Sequence, residues 1–379
     1  MAGTCRQNRR FVGFLGLMLG YAVMAFPDAL GVLADLLNLG GSASSLLFAG
    51  FALFALPAGC LCGSRGARTV AGGALVLTFP ALALLAVGGT RPWAAATGLA
   101  VMGLSNVVLQ VALPARAVEL LGVARQAVAL TVGLFIKTLA AIAFPFAIAF
   151  CASHGRLPLF FLAFGILSAG TAAAVFAGAP GACAVQARPA LRDVCAVLGD
   201  PPTALAALAF ATALVADTAF NLSVPSAVRT RFATDGLAAG TVYAVLFGVK
   251  LPVTLAGAWL FARADARRLF PASILLSTLG AVLWSCASGA AAYLAGVALF
   301  AAGFANIYGF VFAVATVRHP PEKALTVAAL MTMAIAGGAL ASPLSAALGA
   351  GGAQRLSVAA TLVLLALSAA SVFPAWKRT

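Results

Sequence analysis

Long apolar runs, separated by short breaks rich in Gly, Pro and Arg, make up almost the whole chain. A helix that crosses a bilayer needs about 20 consecutive apolar residues. The pattern therefore predicts twelve transmembrane helices. Only helices are expected, because an open sheet would leave backbone groups without hydrogen-bond partners in lipid. The predicted spans are residues 10–36, 44–62, 69–88, 93–115, 124–151, 157–178, 202–228, 238–261, 269–287, 291–317, 324–348 and 354–375.

The composition supports a membrane protein and excludes several other classes. Of 379 residues, 63% are hydrophobic and 8% are charged, whereas a soluble domain averages about 45–50% and about 25%. The seven cysteines form no CxxC pair, so we expect no metal and no cofactor. The sequence contains no nucleophile–base pattern and no phosphate-binding loop. We therefore expect neither an enzyme nor an ATP-driven pump.

The basic residues predict the orientation in the membrane. The net charge is +14, but the basic residues lie scattered in loops and do not form the patch that would bind nucleic acid. Of the 23 Lys and Arg residues, sixteen lie on the side of the N-terminus and five on the other side. Cytoplasmic loops carry the excess of positive charge. We predict cytoplasmic termini and a location in a bacterial inner membrane.

A polar interruption divides the chain into two sets of six spans. We predict an N-terminal half (residues 1–179), a cytoplasmic linker (180–201) and a C-terminal half (202–379). Three short matches relate span n to span n+6 and indicate a six-plus-six repeat. Transporters built from such repeats bind solute near the bilayer midplane, between the halves. The matches are ALTV at 129–132 and 324–327, GLSN at 103–106 with GFAN at 303–306, and SRGAR at 64–68 with ADARR at 264–268.

Four charged residues lie inside apolar spans, with one acid and one base in each half: Asp28, Lys137, Asp217 and Lys250. Each costs at least about 2.5–3.5 kcal/mol at a helix centre before a partner is counted. One interpretation is that two salt bridges, Asp28–Lys137 and Asp217–Lys250, only hold helices together. The other is that the charges belong to a transport site, because an apolar pair would often stabilise the helices as well.

The charges and amides also constrain the solute. If both pairs form, the site has no net charge and suits a neutral, hydroxylated molecule. If Asp28 or Asp217 is protonated, its lysine becomes an unpaired cation, which would permit proton coupling or the binding of an anion. Amides on inward faces suit hydroxyl groups, and the alternative is interhelical hydrogen bonding. The candidate substrate-binding residues are Asn106, Gln110, Lys137, Asn221, Lys250 and Asn306.

Several stretches resemble the major facilitator superfamily, in particular its branch of fucose and glucose/galactose permeases. They include YAVMAFPDALGVL (21–33), LTVGLFIKTLAAIAFP (130–145), ADTAFNLSVPSAV (216–228) and LFGVKLPVTLAGA (246–258). The resemblance implies alternating access and symport of a monosaccharide with protons, or sometimes sodium. It implies that Asp28 is a proton or substrate residue. Unlike the family, GSRGAR (63–68) lacks an Asp, which weakens the expected cytoplasmic latch.

The leading hypothesis is a proton-coupled transporter that takes up a monosaccharide or a similar small polar solute, with Asp28 and Asp217 as proton-coupling residues. A second hypothesis is a transporter of a small organic anion that uses Lys137 and Lys250. A third is a membrane sensor that transports nothing. The expected partners are a small solute, a proton or sodium ion, and membrane lipid, without nucleic acid.

Overall fold

The computed structural model describes most of the chain. The predicted second span (44–62) and the predicted linker (180–201) lie almost entirely outside the described residues, as does Asp35, which the sequence suggests as an outer boundary residue. The linker assignment therefore stays a prediction. The described residues are 2–29, 32–33, 36–37, 47, 54, 57–58, 61–62, 64–88, 91–121, 123–179, 196, 198–232, 238–261, 266–307, 311, 323–349 and 351–375.

Eleven α-helices and one short 3-10 helix account for nearly all of these residues. The α-helices are α1 (Ala2–Met24), α2 (Ala67–Gly88), α3 (Pro92–Leu121), α4 (Val123–Ser153), α5 (Leu157–Ala177), α6 (Pro201–Arg231), α7 (Ala239–Phe261), α8 (Ala266–Cys286), α9 (Ala290–Phe304), α10 (Lys323–Ala347) and α11 (Gly352–Ala375). Eight of the described helices are long and apolar enough to cross a membrane. The prediction of an all-α integral membrane protein is confirmed.

The chain forms two compact units, Met1–Arg188 and Pro189–Thr379. In the first unit α2 packs against α3 and α5, while α1 contacts α3, α4 and α5. In the second unit α6 packs against α10 and α11, and α8 packs against α9 and α11. Close packing of this kind uses small residues: a Cβ atom on Gly280 would meet the backbone of Phe300, and one on Gly296 would meet the backbone of Trp284.

Large apolar side chains are exposed along several helices. Phe150 of α4 is 63% exposed, and Ile166 of α5 is 66% exposed. A water-soluble protein rarely exposes so much contiguous apolar surface. These faces suit contact with lipid, which is consistent with the membrane assignment.

The first predicted span does not continue as one α-helix through residue 36. α1 ends at Met24, and a 3-10 helix follows at Phe26–Ala29. The backbone N–H of Asp28 donates to the carbonyl of Ala25 at 3.0 Å, three residues back. Proline has no N–H to donate, so Pro27 cannot continue the α-helical ladder. Asp28 therefore lies in a helix interruption and not in the middle of a helix.

Two further features were not predicted. Within the tenth predicted span (291–317), α9 ends at Phe304 and Asn306 lies in the turn that follows; Ile307 and Val311 are again helical, and residues 308–310 and 312–317 lie outside the described part of the chain. Arg116, which the charge count placed in a loop, lies inside α3 and is completely buried. The helix continues past Arg116 because both terminal nitrogens of this guanidinium group have the hydrogen-bond partners described next.

Arg116 and Glu119 join the ends of three helices in the first unit. Arg116 Nη1 donates to Glu119 Oε2 at 3.0 Å, and Arg116 Nη2 donates to the carbonyl of Ala179 at 2.6 Å, just beyond α5. Glu119 Oε1 accepts from the N–H of Ala67, the first residue of α2, at 2.8 Å. The carboxylate thus lies at the positive end of α2, and the guanidinium lies at the negative end of α5. Arg68 adds a hydrogen bond to the carbonyl of Gly178 at 3.2 Å.

The continuous helix α6 lacks one backbone hydrogen-bond donor. Pro225 has no N–H, so the carbonyl of Asn221, four residues earlier, loses its α-helical donor. The hydroxyl of Tyr243, from α7, donates to this carbonyl at 3.0 Å. Tyr243 is completely buried. A side chain from the neighbouring helix thus replaces a backbone donor that the sequence of α6 cannot supply.

We predict that Glu119→Gln strongly destabilises the first unit. The substitution leaves the Arg116 guanidinium buried without a counter-charge, which typically costs about 3–5 kcal/mol. Thermal unfolding of the purified protein in detergent measures the effect. Arg65, which is exposed, provides the control, because Arg65→Gln leaves the melting temperature unchanged. A Glu119→Gln variant as stable as the parent protein would contradict this account of the buried pair.

We also predict that Tyr243→Phe destabilises the second unit and that Pro225→Ala rescues it. Without the hydroxyl, the buried carbonyl of Asn221 has no donor, a loss of about 1–3 kcal/mol. Pro225→Ala returns a backbone N–H to the same carbonyl, so the double variant unfolds at a higher temperature than Tyr243→Phe alone.

Tyr293 is the matched control for this experiment. It is also completely buried, and among the described residues its hydroxyl has no hydrogen-bond partner. Tyr293→Phe should therefore cost little. Equal effects of Tyr243→Phe and Tyr293→Phe on thermal stability, or no rescue by Pro225→Ala, would contradict the proposed role of the Tyr243 hydroxyl.

Candidate functional site

Both ion pairs that the sequence suggests are present, one in each unit. Lys137 Nζ of α4 lies 3.2 Å from Asp28 Oδ2 in the 3-10 helix. Lys250 Nζ of α7 lies 2.8 Å from Asp217 Oδ1 of α6. The side chains of Asp28 and Asp217 are 26% and 23% exposed. Each carboxylate is therefore surrounded mainly by protein and still accessible to a proton or a small solute.

The Asp28 turn is held by aromatic rings on one side. Phe26, two residues before Asp28, is 1% exposed. Its ring centroid lies 6.0 Å from that of Phe144 in α4 and 5.4 Å from that of Phe164 in α5. Aromatic pairs at these separations are favourable in both edge-on and offset-stacked arrangements. The rings thus attach the short 3-10 helix to the helix that carries Lys137.

A glycine contact brings α1 close to the helix of Lys137. Tyr21 of α1 is 1% exposed, and a Cβ atom on Gly133 would clash with its ring. Gly133 lies one helical turn before Lys137, on the same face. The absence of a side chain at Gly133 therefore lets α1 and α4 approach near the ion pair. Tyr21 is part of the packed core.

Asn106 and Gln110 form a hydrogen-bond chain that ends at the interruption in α1. Gln110 Nε2 donates to Asn106 Oδ1 at 3.0 Å. Asn106 Nδ2 donates to the carbonyl of Met24, the last residue of α1, also at 3.0 Å. Asn106 is 2% exposed, whereas Gln110 is partly exposed. Of these two candidates, Gln110 is the one that a solute can reach.

The pair in the second unit has additional partners around the lysine. Lys250 Nζ lies 5.5 Å from the ring centroid of Phe247 and 5.2 Å from that of Phe304. An ammonium group within about 6 Å of an aromatic face is attracted by the ring. Lys250 is therefore held by one carboxylate and two rings. Sequence patterns gave no signal for the contribution of Phe304, which comes from α9.

Asn221 lies one turn after Asp217 and is fixed in position by the backbone. Its Nδ2 donates to the carbonyl of Asp217 at 2.8 Å, and its own carbonyl accepts from Tyr243. Its side-chain Oδ1 is buried and has no hydrogen-bond partner within the described part of the chain. From the sequence alone, Pro225 indicates that the backbone carbonyl of Asn221 needs a hydrogen-bond donor from outside α6.

Asn306 contributes to the helix of Lys250 and does not contact the ion pair. Its Nδ2 donates to the carbonyl of Val253 at 3.0 Å, and its amide occupies the space next to Gly257 where a Cβ atom would be. The hydroxyl of Thr254 donates to the carbonyl of Lys250 at 2.7 Å. The structure therefore brings Asp217, Lys250 and Asn221 together. The side chain of Asn306 instead packs against a part of α7 that follows Lys250. Substrate binding by these residues stays a prediction.

The ion pair of each unit determines what that unit's candidate site can do chemically. With both partners ionised, each pair has no net charge. Protonation of the carboxylate removes the negative charge and leaves an ammonium ion without its counter-ion in an apolar bundle. Such a state is costly, so proton binding and the arrangement of the helices are linked. Among the described residues, no cluster of His, Cys, Asp and Glu is suited to a metal ion.

Comparison with known proteins identifies the fold. No family model and no curated protein sequence matches the chain. The E. coli fucose:proton symporter FucP matches with a TM-score of 0.67 at 15% identity, covering 96% of this chain and 99% of that chain. A mutant of the nucleoside transporter NupG matches with a TM-score of 0.72 at 13% identity, covering 97% and 99%. The human organic anion transporter MFSD10 matches with a TM-score of 0.70 at 15% identity, covering 97% and 99%.

These similarities extend over nearly the whole chain, although the identities are low. They agree with the resemblance indicated by the sequence stretches around Asp28, Lys137 and Asp217. The chain therefore has the fold of the major facilitator superfamily transporters.

Proposed function

We propose that the protein is a secondary transporter that takes up a monosaccharide or a similar small polar solute together with a proton. The fold supports a transporter and not an enzyme. The observation that carries the proposal is the ion pair between Asp28 and Lys137, which lies at a helix interruption and is partly accessible. Interrupted helices are where transporters of several folds place their binding and coupling groups.

Asp28 is a better proton-coupling candidate than Asp217. Asp28 lies in the 3-10 turn that interrupts the helix after α1, whereas Asp217 lies within the continuous helix α6. We therefore assign Asp28 the main coupling role.

The neutral pairs favour an uncharged, hydroxylated solute. Each lysine has a carboxylate beside it, so neither half offers an uncompensated cation to an anion. Gln110 and the carboxylates supply the hydrogen-bonding groups that hydroxyls need. Alternating access, cytoplasmic termini and a location in a bacterial inner membrane are parts of the same proposal.

We predict that Asp28→Asn abolishes accumulation driven by a pH gradient. In vesicles with an acidic exterior, one proton per solute and a gradient of about 1 pH unit permit accumulation of up to about tenfold. The variant should only equilibrate the solute, because its amide cannot bind and release the proton. Uptake of radiolabelled fucose, uridine and lactate measures the effect.

Asp200→Asn is the matched control. Asp200 lies immediately before α6, where its carboxylate accepts from the hydroxyl of Thr203 at 2.7 Å, and its substitution should leave accumulation unchanged. Full accumulation by Asp28→Asn would refute the coupling role. Uptake of lactate alone, lost in Lys137→Gln or Lys250→Gln, would support the organic-anion hypothesis instead. Thermal stabilisation by a solute without any uptake would indicate a sensor.

A further inference from the structure

The carbonyl of Met24 is the key group at the interruption in α1. In a continuing α-helix this carbonyl would accept from the N–H of Asp28, four residues later. The N–H of Asp28 bonds to the carbonyl of Ala25 instead. The amide of Asn106, from α3, donates to the Met24 carbonyl in its place at 3.0 Å. Asn106 thus satisfies the carbonyl that loses its α-helical donor when Asp28 adopts the 3-10 pattern.

The orientation of the Asn106 amide is fixed by its two partners. A backbone carbonyl can only accept a hydrogen bond, so the NH2 group of Asn106 must face Met24. The Oδ1 atom then faces Gln110, which donates to it at 3.0 Å. Asn106 is 2% exposed and its side-chain oxygen and nitrogen are both engaged. A side chain this deeply buried offers almost no surface to a solute.

The two hydrogen-bond patterns place the carboxylate differently. A 3-10 helix turns about 120° per residue and an α-helix about 100°. Over about three to four residues, this difference rotates the side chain of Asp28 by roughly 60–80° around the helix axis. The 3-10 pattern is the one in which Asp28 Oδ2 meets Lys137 Nζ at 3.2 Å. The observed ion pair therefore belongs to the 3-10 pattern, and a change of pattern would turn the carboxylate away from this position.

We propose that Asn106 is a positioning residue: it satisfies the Met24 carbonyl that the interruption leaves without a backbone donor, stabilises the 3-10 turn and thereby holds Asp28 against Lys137. This replaces the direct role in substrate binding that the sequence suggests for Asn106. The transport experiment that tests this inference rests on the proposed function of Asp28. The cross-linking experiment does not depend on that function.

The geometric test uses cross-linking between positions 28 and 137. In a background without other cysteines, Asp28→Cys and Lys137→Cys are joined by a short bis-methanethiosulfonate reagent in membranes. Adding Asn106→Leu, which is similar in size but cannot donate, should lower the cross-linking yield several-fold. Asn106→Ala, which is smaller and also cannot donate, is the second variant if Asn106→Leu does not fold. An unchanged yield in the folded variant overturns the proposal.

Ser105→Ala is the matched control. Ser105 is the neighbour of Asn106 and is completely buried, but its hydroxyl donates to the carbonyl of Ala74 in α2 at 2.9 Å and not to α1. Its removal disturbs the core of the unit without touching the Met24 carbonyl. The cross-linking yield should therefore remain at the level of the parent protein. An equal loss of yield in Ser105→Ala would show a general packing effect and overturn the specific role of Asn106.

The transport test separates positioning from substrate binding. For whichever of fucose, uridine and lactate the parent accumulates, Asn106→Leu should lower the rate of gradient-driven uptake by about tenfold or more, since misplacing a reacting group by about 1 Å can cost on the order of 100-fold. The half-saturating concentration in solute exchange should change by less than about twofold. A large rise in that concentration with normal coupling would overturn the proposal. Reduced cross-linking in a protein whose Asp28→Asn variant still accumulates would support the positioning and refute the proposed function.

Discussion

A carboxylate facing an ammonium ion inside an apolar helical bundle is the interaction on which the architecture of each half depends. Either charge alone costs at least about 2.5–3.5 kcal/mol at a helix centre, so each partner lowers the cost of placing the other there. The pair in the first unit joins the Asp28 turn to α4, and the pair in the second unit joins α6 to α7. Any event that neutralises a carboxylate therefore changes the energy of a helix contact as well as a charge.

The two units place their ion pairs in different local structures. Asp28 lies in a 3-10 interruption whose freed carbonyl is satisfied by Asn106, whereas Asp217 lies within the continuous helix α6. In the second unit the freed carbonyl belongs to Asn221, and the hydroxyl of Tyr243 satisfies it. The repeat thus preserves one acid and one base in each half but not the hydrogen bonds around them. This difference is the physical basis for assigning the coupling role to Asp28.

The sequence predicted the helices and the pairing of charges because both follow from the cost of polar groups in lipid. It did not predict where helix α1 ends. Pro27 shows that a backbone donor is missing, but which side chain reaches the Met24 carbonyl depends on the packing of α3. The contacts of Tyr21 with Gly133, and of Phe304 with Lys250, likewise join residues far apart in the chain. The identity of the solute depends on such contacts, which apolar periodicity does not encode.

The most direct test of the account is whether protons move with the solute. Vesicles that contain the protein and a pH-sensitive dye, with no initial pH gradient and no sodium, receive fucose, uridine or lactate from outside. The account predicts that entry of the transported neutral solute acidifies the interior, and that Asp28→Asn abolishes this acidification. Entry of the solute at the normal rate without any change in internal pH would contradict it.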